Sequence, residues 1–480
     1  MKNIIFVITI LLFATACSKI LEEKPKAVAT ETFYNTSSEI KSAVYAIYSP
    51  TNQAVASNSG GVWFINGAEV DYAYGRLSYS TITDFIIFSS TTIGRIDDIW
   101  NYLYRAIRNA NLVIKNAPNS SLAPKDEITQ YVAEARFLRA FNYFYLVRNW
   151  AGVPLRTTEN MLLSDVPRSP EADVYALIVE DLEYAEANLP ETQVMAGRAD
   201  KYAAKAMLTH VYLQLGRWSD ARNKALEIIN SNRYSLIKVT TSDDFYKIFG
   251  PDINRSSEEV FYLKFNRVDA GSYICRMRHY PGAPYFNMNG VYGLYSDSVT
   301  YKVIREWDYK DLRKKFNLYN WNIGFGKTTM LFKKFVDPAA TTSVGNNDFP
   351  AYRYPDILLF YAEADCRANN GPTAGGMEKL NMIHRRAYGK DPNVTSTIDF
   401  KVADYTKDTF IDLVLKEGCY EQFDEAKRFF ELRRTGKFQE VIKLNRGIDV
   451  TEAVLLWPIP KAEYDYNKAI DPTKDQNPGY

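Results

Sequence analysis

Cys17 is the one cysteine of four that directly follows a long apolar run. Lys2 precedes that run, and Ile4 to Ala16 is almost unbroken apolar residues. Such a run is too short for a membrane-crossing helix, which needs about 20 residues. It has the proportions of a secretory signal, and Ala14 and Ala16 supply the small residues of its cleavage site. Cleavage after residue 16 leaves Cys17 first, where its thiol can carry the diacylglyceryl group of a bacterial lipoprotein. Acyl chains anchor because each buried methylene contributes about 0.8 kcal/mol. The expectation is a signal peptide over 1–16 and a lipidated, flexible leash over 17–30.

The other reactive residue types form no catalytic pattern. Cys275, Cys366 and Cys419 are an odd, scattered set, unlike a disulfide framework. Cys275 and His279 stand four apart, but no second ligand pair is near them, and structural zinc needs four ligands. No metal site and no cofactor is expected. With His210, His279 and His384 the only histidines, a Ser-His-Asp arrangement is hard to assemble. The stretch GFGKTT at 324–329 has Trp321 where a phosphate loop needs its first glycine. Paired carboxylates for glycoside hydrolysis are harder to exclude among 57 acids; Glu69 with Asp71 is one pair, and Asp97 with Asp98 another that reads as helix-dipole stabilisation. Basic and acidic residues balance to a net charge of +1, which argues against a nucleic-acid protein.

Aromatic loops are the surviving chemical signal. Tyrosines number 35 and exceed the 24 glycines, so many are available as flat amphipathic surfaces. Trp63, Phe64, Tyr72 and Tyr74 lie in one loop, Tyr280, Tyr285, Tyr292 and Tyr295 in a second, and Tyr319 and Trp321 in a third. Asn66, Asp71, Asn287, Asn289 and Asn322 lie beside them. Flat rings can stack on the apolar faces of sugars while amides and carboxylates bond hydroxyls. The candidate ligand set is Trp63, Asp71, Tyr72, Tyr74, Tyr280, Tyr285, Asn287, Tyr292 and Trp321. The competing explanation is that these rings pack the loops onto a core.

A helical scaffold must hold those loops. Helical spacing of apolar residues marks 37–48, 95–115, 127–150, 171–188 and 198–230. Within the last, Gly216 turns between two helices, and Ala221 and Ala225 allow close approach, the spacing of a tetratricopeptide repeat. A second helix pair covers 355–369 and 375–386, and a last helical region runs 406–434 to a stop at Gly436. Such units bury their faces only by stacking. The reading is an all-α dominated domain over 31–480. Its scaffold covers about 31–50, 95–230 and 351–436, with loop-rich ligand regions at 50–93 and 235–350 and a proline-rich strap at 437–480.

Four stretches in order resemble the SusD/RagB family of Bacteroidetes outer-membrane lipoproteins. EARFLRAFNYFYLVRNWAGVPL (134–155) resembles its helix ending in Gly-Gly-Val-Pro, with Ala151 for the first glycine. YRYPDILLFYAEA (352–364) resembles its Arg-Tyr-Ala-Asp helix, with Pro355 for alanine. CYEQFDEAKRFFELRRTGKF (419–438) resembles its Glu-Gly-x-Arg…Asp-Leu-x-Arg segment, with Ala426 for glycine and Glu431 for aspartate. LLWPIPKAEYDYNKAI and QNPGY (455–480) resemble its C-terminal strap. Arg428, Glu431 and Arg434 share one helix face and can pair; with Glu363 they read as structural.

The resemblance implies four tetratricopeptide-like helix pairs and a surface protein without enzyme activity. It implies capture of oligosaccharides or peptides for a TonB-dependent, SusC-like transporter, with the protein a hinged lid. Glu22–Glu23 resembles the acidic signal for the extracellular face of the outer membrane, with Lys19 a departure. An extracellular glycan-degrading enzyme, and a repeat scaffold that binds only the transporter, stay open as alternatives.

Overall fold

The computed structural model describes residues 33–56, 61–268, 271–286, 290–341 and 343–480; the signal segment, Cys17, the leash and Asn287 lie outside them. In chain order the main helices are α1 (Ser37–Ala56), α2 (Gly61–Ala68), α3 (Ser90–Asn116), α4 (Lys125–Trp150), α5 (Glu171–Asn188), α6 (Lys201–Gln214), α7 (Trp218–Asn230), α8 (Tyr354–Ala368), α9 (Ala374–Ala387), α10 (Lys407–Glu421), α11 (Arg428–Arg434) and α12 (Phe438–Arg446). The strands are short: β1 (Tyr74–Gly75), β2 (Val153–Pro154), β3 (Arg168–Ser169), β4 (Glu259–Leu263), β5 (Leu294–Asp297), β6 (Leu318–Asn320), β7 (Thr329–Phe332) and β8 (Phe349–Arg353).

The long helices stack successively, α1 on α3, then α3 to α7 in order, with α7 meeting α8 across the intervening 231–353 segment. This is the expected tetratricopeptide-like scaffold. Local chemistry sets its boundaries. Pro170 precedes α5, and Ser89, Asp200, Thr373 and Thr406 cap α3, α6, α9 and α10 with side-chain oxygens. Gly216 turns α6 into α7 at φ +70°, and Ala221 and Ala225 are fully buried on α7.

One sequence expectation changes here. The 50–93 segment is less of a loop than its composition implies. α1 continues through Pro50 to Ala56, and GVWFINGA forms the wholly buried helix α2. Proline has no N–H for the helix, which frees the Ala46 carbonyl. Asn109 Nδ2 of α3 donates to that carbonyl at 2.8 Å. An eight-residue helix buried on every side shows no amphipathic period, so its pattern is silent. The helical region over 406–434 comprises two helices, α10 and α11, separated by Gln422–Lys427, and the strap begins with α12.

The main hydrophobic core runs from Ile40 to Ile459. The C-terminal strap closes it. Trp457 packs edge-on to Trp150 at 4.9 Å, and its backbone N–H donates to Asn149 O at 2.7 Å. Arg168 of β3 ties strap to scaffold, donating to Gly152 O, Trp150 O, Asp475 O and Asn477 Oδ1.

Candidate functional site

A small antiparallel sheet ordered β1-β5-β7-β6 carries the aromatic loops. Tyr74 pairs with Tyr295 and Gly75 with Leu294, and Arg76 N–H extends the ladder to Gly293 O at 2.8 Å. Directly opposed residues bring their side chains together on one face. The Tyr74 and Tyr295 rings stack at 5.4 Å and 29°. Phe325 adds a third ring, stacked on Tyr295 at 5.4 Å and 21°. It sits at the tip of the β6–β7 hairpin and is 65% exposed. Asn322 Oδ1 accepts the N–H groups of Gly324 and Gly326, both at positive φ, and so shapes that tip. From below, Tyr301 packs on Tyr74 at 4.6 Å, and the Arg446 guanidinium lies 5.1 Å from the Tyr74 ring.

Further rings continue this surface. Arg76 lies 4.1 Å over the Tyr292 ring, a cation–π geometry, and Tyr292 meets Tyr280 at 4.6 Å. Tyr292 itself has φ 33°. Its neighbours Val291 and Gly293 donate to Arg276 O and Met277 O, which presses the segment against the short helix Ile274–Arg278. Tyr285 meets Tyr319 at 4.8 Å, with Lys333 Nζ 4.6 Å from the Tyr285 ring. Trp321 follows β6, its backbone N–H donating to Thr329 O at 3.1 Å, and its indole is half-buried with no aromatic partner among the described residues. Tyr74, Tyr280, Tyr285, Tyr292, Tyr295 and Tyr319 are likewise half-buried. Each therefore keeps part of a ring toward solvent while its neighbours fix its orientation.

Trp63, Asp71 and Tyr72 are placed differently, inside the core. Trp63 on α2 is 0% exposed, donates to Asp424 O at 3.0 Å and is edge-packed on Phe335 and Phe349. Tyr72 stacks on Phe423 at 4.3 Å, and its hydroxyl accepts the Asp424 N–H. Asp71 pairs with Arg428 at 2.9 Å and accepts from Asn445. Their faces are spent on packing. Glu69, the partner of Asp71 in the sequence-level acid pair, is also buried and accepts from Asn66 and Trp457. Burial pushes its carboxyl up to about 7 despite those two hydrogen bonds. Asp97 and Asp98 lie two turns inside α3, which begins at Ser90, so the dipole explanation for them fails.

The site list lacks Arg76, Tyr295 and Phe325. The glycines on either side of Phe325 are a turn signal in the sequence. The cationic partner Arg76 gives no such signal, because the register that brings it to Tyr292 is a long-range pairing.

Arg428, Glu431 and Arg434 divide their bonding. Arg434 bonds Glu431 at 2.5 Å and Glu363 of α8 at 2.6 Å, while Arg428 turns to Asp71. These acids and arginines hold α11 to α8 and to the 69–72 turn.

Comparison with known proteins places the fold. A family model described as the SusD family matches residues 280–480, and one described as starch-binding associating with outer membrane matches 21–213. A SusD-like protein, P25, of Formosa agariphila is 24% identical, over 100% of this chain and 99% of the relative. A SusD homolog from Bacteroides thetaiotaomicron superposes with a TM-score of 0.79 at 20% identity, covering 94% of this chain and 98% of that one. The surface glycan-binding protein A from Bacteroides fluxus gives a TM-score of 0.75 at 19% identity, over 93% and 100% of the two chains.

Proposed function

This chain belongs to the SusD-like family, and from that premise we propose that it captures carbohydrate at the cell surface and passes it to an outer-membrane transporter. The observation that carries the reading is the row of half-exposed rings, Phe325, Tyr295 and Tyr74, with Arg76–Tyr292 and Trp321 beside it. Fixed flat rings suit the apolar faces of sugar rings. Arg76, Lys333, Asn320 and Asn322 offer donors and acceptors to hydroxyls at the same surface. The starch-binding description of one matching family model and the glycan-binding name of a structural neighbour support carbohydrate as the ligand class. Capture without turnover is the mode we assign, because the sequence-level acid pair Glu69 and Asp71 is buried and bonded.

The anchor in this proposal is the lipid on Cys17, and the receiving partner is a TonB-dependent, SusC-like barrel. The outer-membrane wording of the family model favours that location. Affinity electrophoresis of the chain from Ser18 onward against plant, host and microbial polysaccharides tests the ligand class. Retardation by at least one polysaccharide, without new reducing ends, is the expected result. Migration unchanged in every gel sinks carbohydrate capture; new reducing ends turn the reading to an enzyme. A Cys17→Ser chain is expected in the soluble fraction, and co-purification of a barrel with the wild-type protein from outer membranes tests the partner.

A further inference from the structure

A polar cavity lies away from the aromatic sheet and shares no residue with it. It has a volume of about 290 Å³ and sits between the start of α6, the end of α7 and β4. Its walls are polar and charged: Arg198, Asp200, Arg233, Arg255, Ser256 and Glu259. The charges sort into spent and unspent groups. Arg198 bonds Glu134 through Nε and Nη2, and Glu259 bonds Lys264 at 2.8 Å, so those charges are matched. Arg233 is held instead by a neutral oxygen, Thr192 Oγ1 at 2.6 Å, and by the Tyr202 ring at 4.7 Å. Arg255 is held by the carbonyl of Gln193 at 3.3 Å. Neither arginine has a carboxylate within ion-pair distance among the described residues, although Asp200 shares the cavity with both.

Asp200 is fixed by its own duty. One carboxylate oxygen caps α6 by accepting the N–H groups of Tyr202 and Ala203, each at 3.0 Å. Burial pushes this carboxyl up to about 6 against the pull of the cap bonds, Arg233 and Arg255. The cavity thus presents two guanidinium groups with free donors and one carboxylate with a free acceptor edge. Two positive charges and one negative match a ligand of single negative charge. A dianion such as sulfate would meet the Asp200 carboxylate. Hydroxyl groups would donate to that same carboxylate, and Ser256 adds a neutral partner. The volume lies at the lower end of small-ligand pockets, about 300–1,000 Å³, which suits one ring rather than a chain.

We propose that this cavity binds a sugar acid, its carboxylate held by Arg233 and Arg255 and a ring hydroxyl donated to Asp200. The site stands independently of the aromatic surface. Calorimetric titration of the purified mature chain with D-glucuronate, D-glucose, sulfate and digalacturonate tests it. Glucuronate is expected to bind at least tenfold more tightly than glucose or sulfate. Arg233→Ala and Arg255→Ala should each weaken it at least tenfold, and Trp321→Ala should leave it unchanged. Asp200→Asn keeps a cap-competent oxygen but removes the charge, so sulfate affinity should rise several-fold in that variant. Binding of digalacturonate would identify the ligand as a chain end, and its failure beside bound glucuronate would identify a free acid; both support the site. Glucuronate bound no better than glucose, binding that survives Arg233→Ala with Arg255→Ala, or binding lost in Trp321→Ala would overturn it.

Discussion

Arg353 and Glu425 form an ion pair at 2.7 Å with both side chains 0% exposed. Arg353, at the junction of β8 and α8, also reaches Glu421 at 2.9 Å and Glu258 at 3.4 Å. Arg386 bonds Glu258 and Glu421, Lys334 bonds Glu425, and Arg313 bonds Glu417 and Asp311. The network locks α8, α9 and α10 to the strand-bearing insertion. Removing one partner leaves a buried charge uncompensated, at a cost of about 3–5 kcal/mol. Arg353→Met is expected to lose that much in urea unfolding; a midpoint shift under 1 kcal/mol, by the slope of the wild type, would contradict this account.

The same network sets the acid limit. Burial pushes Glu425 up, but Arg353 and Lys334 outweigh it and hold the carboxyl at about 2. Glu417 sits at about 2 by the balance of burial against Arg313 and His384. Glu258 moves the other way, burial outweighing Arg386 and Arg353. A carboxyl lower in the folded state stabilises above the unfolded value and loses that stability as pH falls through the folded one. For Glu425 and Glu417 the window runs from the ordinary 4.5 down to about 2. Unfolding followed from pH 5 to pH 2 should therefore steepen in wild type and flatten in Glu417→Gln.

Glu69 has the opposite sign. Its folded value, about 7, lies above the ordinary 4.5 because of burial. Stability from the protonated form is complete below 4.5 and is lost as pH rises through about 7. The full effect is about 3 kcal/mol at 1.36 kcal/mol per unit. Glu69→Gln should remove the slope between pH 5 and pH 8. Parallel slopes in variant and wild type would show that Glu69 does not titrate there.

Two alanines occupy backbone that glycine prefers. Ala151 ends α4 at φ 62° and ψ −130°, and Ala426 has φ 57°. Both are positions where the family pattern carries glycine. Non-glycine residues at such angles cost about 1–3 kcal/mol, partly offset by the greater freedom glycine loses on folding. Ala151→Gly and Ala426→Gly should each stabilise the protein by about 1 kcal/mol in denaturant titrations. Destabilisation by either would mean that packing around the methyl group outweighs the strain.

Binding and packing aromatics should separate cleanly. Trp321→Ala, Phe325→Ala and Tyr292→Ala should weaken retardation by the captured polysaccharide about tenfold, or about 1.4 kcal/mol, with little change in Tm. Trp63→Ala should instead cost about 3–5 kcal/mol of stability, as large core truncations do. The reverse pattern would move the binding surface to the α2 side of the molecule.

Legibility in the sequence followed the kind of signal each segment carries. α5 was readable to its ends because Pro170 and Pro190 bracket an acidic, periodic segment. The α6–α7 pair was readable because Gly216 and the buried alanines state the turn and the close approach. α2 was not, since a short helix buried on every side has no polar face to reveal its period. Among the rings, Trp63 and Tyr295 look alike in composition. What separates them is long-range pairing: Trp63 meets Asp424 across 361 residues inside the core, while Tyr295 sits in β5 between β1 and β7 with its ring half-buried.

That separation in sequence has a temporal meaning. Trp63 waits for Asp424, and Glu69 waits for Trp457 across 388 residues. Contacts so far apart fold slowly, because the entropy of closing so long a loop is lost before the contact rewards it. The first hundred residues therefore cannot complete their interior until the final strap has emerged from the ribosome. A nascent or truncated chain would present Trp63, Tyr72 and Trp150 to solvent and to proteases.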